Sequence, residues 1–232
     1  MGFEINDLSE TRFPSSSVGD YLKAVWELAE DSGGRRLDQG CGGAALRLAC
    51  FGLKHVREVT GNGPRQVRAL QGATLTERGR KEALRLVRRH RLIETFLLEH
   101  LSYDWQEVHD EAERLEHAVS DGFTWRLAEL LGHPDHDPHG DPLPSAEGTL
   151  EVEDSFTLSR AVAGQRLRIA KVRDEDAAML DYLGERNLVP GRWLSVREVR
   201  ALDGVVIVED EEVEVYALGE PLARSIFVRN DS

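Results

Sequence analysis

Sulfur is scarce in this chain: of 232 residues, two are cysteine and two methionine. Cys41 and Cys50 stand nine positions apart without flanking partners, which makes neither a disulfide framework nor a zinc pattern. A reducing, cytoplasmic setting suits such usage. No stretch approaches the ~20 apolar residues of a membrane span, so no membrane partner is expected. The opening MGFEINDLSETRF has neither a basic start nor an apolar run, so no signal peptide is expected either. Also missing is Glu-x-x-His, the pair that a carboxylate-bridged di-iron enzyme wants on each of two helices. Gln106 stands three before His109, and Arg114 three before His117. The chain is therefore not expected to be an enzyme of that kind.

Charge is abundant but unevenly placed. The net charge is −13, which by itself speaks against nucleic acid. Its distribution speaks otherwise: net −4 over 1–30, +7 over 31–100 and −16 over 101–232. A basic block beside an acidic remainder is the footprint of a DNA-binding module joined to something else. A long exposed basic helix has the same signature.

Periodicity divides the chain. VGDYLKAVWELAE (18–30) places Val18, Tyr21, Leu22, Val25, Trp26 and Leu28 at helical spacing, and DSGG ends the helix. After a strand-like GATL, Thr76 is placed to cap a long helix carrying Ala83, Leu84, Val87, Leu92, Phe96 and Leu97. Gly79 at its third position rules out a capping box. A helix opened by Trp105 carries Val108, Ala112, Leu115 and Val119, and a third follows near 121–131. Residues 132–156, dense in proline and glycine, read as a linker. Beyond them the period switches to two: RLRIAKV, WLSVREV, VVIVED and VEVYAL alternate, with one helix near 174–186. A small β-barrel of about 75 residues follows from that pattern.

The chemistry concentrates in VHDEAERLEH. On a helix, at ~100° per residue, Glu113 lies at about +40°, Glu116 at about −20° and His117 at about +80° from His109. Two imidazoles and two carboxylates on one face make a surface for a divalent metal. His90 and Glu94, spaced i, i+4, share a face of the preceding helix. A solvated charged face can look alike for one such pair, but two groups on adjacent helices of a hairpin favour metal. Carboxylate with imidazole suits Mn(II), Fe(II) or Zn(II), and a carboxylate-rich set leans to Mn(II). The linker's His133, Asp135, His136, Asp137, His139 and Asp141 read as loop residues. Arg78, Arg80, Lys81, Arg85, Arg88, Arg89 and Arg91 suit phosphate attraction or a solvated helix.

Four segments, GATLTERGRKEAL, RRHRLIETFL, VHDEAERLEHAVSD and DPHGDPLP, stand in an order and spacing that resembles the diphtheria-toxin-repressor and manganese-transport-regulator family. VGDYLKAVWEL resembles that family's first helix. The resemblance covers 16–35 and 72–145 well and the C-terminal part more loosely. It implies an α+β fold: a winged helix-turn-helix over 1–75, a helical dimerisation and metal-binding domain over 76–140, a linker over 141–157 and an SH3-like β-barrel over 158–232. It implies a homodimeric, cytoplasmic, metal-dependent repressor that binds palindromic operator DNA and controls metal-uptake genes. The primary metal site would use Asp20, Glu113, Glu116 and His117. The ancillary site would use His90, Glu94 and His109, with Asp174 as the best-matching acid of the barrel and Glu175 or Asp176 as alternatives. Asp20 falls where iron-responsive members place methionine, and Glu113 where they place cysteine. Oxygen for sulfur in both favours Mn(II), with Fe(II) the alternative.

One segment departs from the resemblance. The helix-turn-helix should occupy 36–71, yet that stretch holds six glycines and no clean period, so no DNA-contacting residues are assigned there. Either it is a divergent loop or residues 36–70 are read out of frame. Leu53-Lys54-His55-Val56 can be encoded CTC AAA CAT GTT, which one base on reads Ser-Asn-Met. Gly61-Asn62-Gly63-Pro64, as GGA AAT GGG CCT, becomes Glu-Met-Gly-Leu under the same shift. Val67 to Leu70 becomes Tyr-Ala-Pro-Tyr, a wing-like run. If the residues stand as written, metal binding survives without operator binding. Resequencing the gene is expected to show two compensating single-base changes flanking codons 36–70, and unambiguous confirmation of the present codons removes the sequence-error version.

Overall fold

The computed structural model describes residues 16–31, 75–151, 153–173 and 176–230. The expected helix-turn-helix at 36–71, its out-of-frame reading, the GATL strand up to residue 74, and Asp174 and Glu175 all lie outside the described residues. The chain forms two compact units, Met1–Ala83 and Leu84–Ser232.

In the first unit, α1 spans Ser16–Asp31. Ala24, Val25 and Trp26 are buried on it, while Val18 and Tyr21, expected on the apolar stripe, are exposed. Here too begins α2 (Glu77–Leu101). The Thr76 hydroxyl accepts the Gly79 N–H at 3.1 Å, which satisfies one of the orphan donors of a helix start. With no proline and no glycine beyond Gly79, α2 runs 25 residues. It stops at Ser102, whose φ of 57° turns the chain out of the helix.

The second unit has a helical layer and a sheet layer. Two short helices follow α2: α3 (Val108–Leu115) and α4 (Asp121–Leu130). The segment expected to open at Trp105 is a turn until Val108. Ser120 caps α4 by accepting the Phe123 N–H at 3.2 Å. Leu92, Ile93 and Leu97 of α2 pack with Val108, Ala112, Leu127 and Ala128 in one apolar cluster. This is what the i, i+3, i+4 stripes require, since each helix must bury its stripe against another.

The sheet is antiparallel and six-stranded, in the order β1-β6-β2-β3-β4-β5. Its strands are β1 (Phe156–Thr157), β2 (Arg166–Val172), β3 (Trp193–Arg200), β4 (Val205–Glu209), β5 (Val215–Leu218) and β6 (Ile226–Asn230). Helix α5 (Ala177–Glu185) follows β2, and α6 (Glu220–Ser225) precedes β6. The four strands expected from alternation are present; the short β1, α6 and β6 were not foreseen. In β2, Leu167 and Ile169 face inward by alternation, and a register shift before Lys171 sends Val172 inward in its place. Asp176 caps α5, its Oδ1 accepting from Ala178 and Met179.

The segment 137–144 joins the layers. Arg88 donates to the Pro144 carbonyl at 2.6 Å and Arg91 to the Pro142 carbonyl at 2.5 Å. On the other side Val172 N–H donates to the His139 carbonyl at 2.9 Å, and Lys171 pairs with Asp141 at 2.8 Å. Gly140 sits at the closest approach, with φ 89°. A Cβ there would lie 2.2 Å from the Ala170 carbonyl oxygen. Gly140→Ala adds a left-handed backbone cost to overpacking, together about 2–4 kcal/mol. A lowered urea midpoint of unfolding is the expected result; an unchanged midpoint would show that the segment yields freely.

Candidate metal centre

The long uninterrupted helix α2 sets His90 and Glu94 one turn apart on the face that meets α3. His90 is the hub. Its Nδ1 stands 2.6 Å from Glu116 Oε2, and its Nε2 stands 2.9 Å from Glu94 Oε1 and 3.1 Å from His109 Nδ1. His109 Nδ1 is also 3.1 Å from Glu94 Oε1. The two imidazoles meet edge to face, centroids 4.8 Å apart. His90, Glu94 and His109 each offer a ligand atom within 4.8 Å of the others'. Glu116 follows the last residue of α3 and its N–H still donates to the Ala112 carbonyl, so helical geometry carries it to the face that His109 occupies. Its Oε1 stands 3.5 Å from His117 Nε2, and the His117 side chain is 25% exposed.

Glu94 is wholly buried. Burial pushes its carboxyl up, yet the His90 charge, hydrogen bonds from His109 and His90, and the His139 charge hold it well below the usual carboxylate range. An ionised carboxylate without solvent demands partners for both oxygens. Oε1 has two; Oε2 has no hydrogen-bond partner among the described residues. A buried acceptor beside two imidazoles is a fit for a divalent cation.

A second group shares Glu94. With Asp137 and His139 it places one ligand atom from each residue within 4.8 Å, all three buried. The loop around Asp137 builds itself: Asp137 Oδ1 accepts from the backbone N–H of His139 at 2.9 Å and of Asp141 at 3.0 Å, while Oδ2 pairs with Arg91 Nε at 3.2 Å. His139 Nε2 donates to the Trp105 carbonyl at 3.1 Å, and its ring stacks on Trp105. That bond makes Nδ1 the lone-pair nitrogen of the neutral ring. Sequence reasoning passed over Asp137 and His139 as loop residues. The available signal was Asp-x-His in a proline-rich stretch, too common to single out without knowing that the loop folds back onto Glu94.

The remaining expected site residues are placed as follows. Glu113 is half-buried on α3, one turn before Glu116 and His117, and joins neither group. Asp20 is half-buried on α1, in the first unit. Asp176, an alternative barrel ligand, has one carboxylate oxygen committed to capping α5.

Asp137 generates a pH dependence. Burial, then the Glu94 and Asp141 charges, push its carboxyl up to about 7 against the pull of Arg91 and His139. Unfolded, an aspartate titrates near ~3.9. Between those values the folded protein holds a proton that the unfolded chain lacks, so this group's contribution to stability falls as pH rises from about 4 to about 7. Asp137→Asn is expected to flatten that decline in metal-free protein, read as urea midpoints at several pH values. An undiminished decline would show that Asp137 stays ionised throughout.

Comparison with known proteins places this geometry. Residues 76–145 match the family model of the iron dependent repressor metal binding and dimerisation domain, and 156–230 match the FeoA domain. The iron-dependent repressor IdeR of Mycobacterium leprae is 31% identical over 227 residues, covering 90% of this chain and 93% of that protein. IdeR of Mycobacterium tuberculosis is 43% identical over 70 residues, so the match spans 30% of either chain. A manganese-dependent transcriptional repressor, solved in complex with manganese, superposes with a TM-score of 0.73 at 33% identity, over 92% of this chain and 99% of its own. With near-complete coverage of relatives above 30% identity, the chain belongs to the IdeR and diphtheria-toxin-repressor family of metal-dependent transcriptional repressors.

Proposed function

We propose that this chain is a Mn(II)-responsive transcriptional repressor that acts in the cytoplasm as a homodimer on palindromic operator DNA of metal-uptake genes, with Fe(II) the alternative ion. The observation that carries the proposal is Glu94: an ionised, solvent-free carboxylate flanked by His90 and His109, with one oxygen unpartnered among the described residues. Nitrogen and oxygen donors without sulfur suit Mn(II) better than softer ions. When bound, the ion supplies a charge that draws carboxylates and imidazoles into one fixed arrangement.

The primary set is Asp20, Glu113, Glu116 and His117; Asp20 and Glu113 enter it through the family resemblance. The ancillary set is His90, Glu94 and His109, and Asp174 enters by resemblance alone. Asp137 and His139 stand ready as further donors around Glu94. For the homodimer, α4 presents Phe123, Trp125 and Leu130 as exposed large apolar side chains, the composition expected of an interface core. A winged helix-turn-helix over 1–75 and an SH3-like barrel over 158–232 complete the architecture that the family implies.

The deciding measurement is a gel-shift titration of the full chain with operator DNA, with and without Mn(II). Metal-dependent retardation is expected. Glu116→Ala is expected to weaken it by at least about tenfold in apparent affinity; because the buried carboxylate accepts from His90, a lower unfolding midpoint is expected too, and circular dichroism checks that the metal-free variant is folded. Metal binding with no retardation under any condition would favour a metal-binding protein whose DNA-reading segment is disrupted.

A further inference from the structure

We infer that the outer face of strands β6, β2 and β3 is a contact surface for the phosphate backbone of duplex DNA, independent of base sequence. The inference goes beyond the metal-responsive role proposed above, since neither the candidate metal ligands nor an operator sequence enters it.

Alternation builds the face. Leu167, Ile169 and Val228 point into the core cluster, so Arg168 and its cross-strand partner Arg229 lie on the opposite side of the sheet. Trp193 stands opposite Arg168 on β3. The register shift before Lys171 sets that residue opposite Phe227, again on the outer side. RLRIAKVR (166–173) thus delivers four cations and no acid, and Arg229 adds a fifth. They stand in a stretch, 101–232, whose net charge is −16. The sheet therefore gathers onto one face charge of the sign that its surroundings lack, which is the footprint of a surface for a polyanion.

Two features of the face point to an anion outside the chain. Arg168 and Arg229 are direct cross-strand neighbours, and like charges so placed destabilise a sheet. Glu153 answers Arg229 at 3.2 Å and Asp141 answers Lys171 at 2.8 Å, but among the described residues no carboxylate pairs with Arg166 or Arg168. Arg168 Nε donates to the Gly191 carbonyl at 2.9 Å, which orients the guanidinium without neutralising it. The second feature is the interleaving of cations with rings. Arg166 Cζ lies 5.0 Å from the centroid of Trp193, and Lys171 Nζ and Arg173 Cζ lie 4.9 and 5.5 Å from that of Phe227. A cation held over a ring keeps its charge and gives up mobility, so less ordering remains to be done on binding. The same pairing selects the occupant. Rings already covered by cations offer no platform for unstacked bases, on which single-strand binding depends. A duplex presents one phosphate charge per ~1.7 Å of axis, and β2 with its flank from Arg166 to Arg173 extends about 23 Å.

The test is fluorescence anisotropy of a labelled duplex without operator sequence, titrated with the full chain over a series of salt concentrations, with and without Mn(II). Arg166→Gln combined with Arg168→Gln is expected to reduce the slope of log affinity against log salt by about 1 to 2 in either condition. Arg197→Gln combined with Arg200→Gln removes the same charge from guanidiniums already paired with Glu209 and Glu198, and is expected to leave the slope unchanged. Circular dichroism checks that each variant is folded. Should loss of the Arg168–Gly191 contact unfold the first variant, Arg166→Gln alone is expected to give about half the reduction. The inference is overturned if the Arg166 and Arg168 substitutions leave the slope of the parent protein, or if the Arg197 and Arg200 substitutions reduce it equally. It is also overturned if a single strand of the same length binds the parent more tightly than the duplex, or if poly-glutamate displaces the duplex as well as unlabelled DNA does, which would assign the face to an acidic protein segment. Metal-dependent operator retardation with an unchanged slope defeats this surface alone; a parent protein that binds no duplex at low salt defeats the DNA role proposed above as well.

Discussion

A single buried negative charge organises this protein. Glu94 sits on α2 with no access to water, where an uncompensated carboxylate would carry a penalty of several kcal/mol. Its surroundings answer that penalty piece by piece. His90 comes from the preceding turn of the same helix, His109 from α3, and His139 from the loop that follows α4. Each brings an imidazole that donates or contributes positive charge. Compensation is incomplete, because Oε2 lacks a hydrogen-bond partner among the described residues. A fold that tolerates such a group in a packed interior is suited to a cation more than to maximal stability in its absence. Family membership and this local chemistry arrive independently at the same conclusion.

The loop 137–144 extends the influence of that charge to the sheet. Asp137 is held by Arg91 from α2, and by the backbone N–H groups of His139 and Asp141. Lys171 and Val172 of β2 grip the same loop from the opposite side. Trp105 adds a further tie: its indole N–H donates to the Pro138 carbonyl at 3.0 Å, and its ring packs against the core beneath the sheet. Helical layer and sheet within the second unit therefore meet where the candidate metal-ligating side chains are. A ligand held at Glu94, Asp137 and His139 acts on both layers at once.

Carboxylate and imidazole donors dominate a centre in a chain with only two cysteines. Sharing of residues matters as much as their type. Glu94 belongs to two three-residue groups, and His90 faces Glu116 as well as Glu94. Discrete sites, as the family assignment divides them, become one continuous network of ionisable groups when the side chains are placed. In such a network the removal of one member is felt by the rest, and single substitutions do not report single contacts.

The sequence by itself determined the donor-bearing helices and four of the six strands of the second unit. Period 3.6 marked α2, α3 and α4, Thr76 marked the start of α2, and period two marked β2 to β5, because these signals are local and repeat many times. The i, i+4 spacing of His90 and Glu94 needed nothing beyond helical geometry. The short β1 and β6 escaped notice because two to five residues leave too little period to read. Only the tertiary structure decided that Asp137 and His139 turn back onto Glu94, and that one imidazole lies between Glu94 and Glu116. Those contacts join residues tens of positions apart, and no local pattern encodes which loop will close over which charge. That choice was made by burial: the carboxylate on α2 had to find its partners wherever the packed chain could supply them.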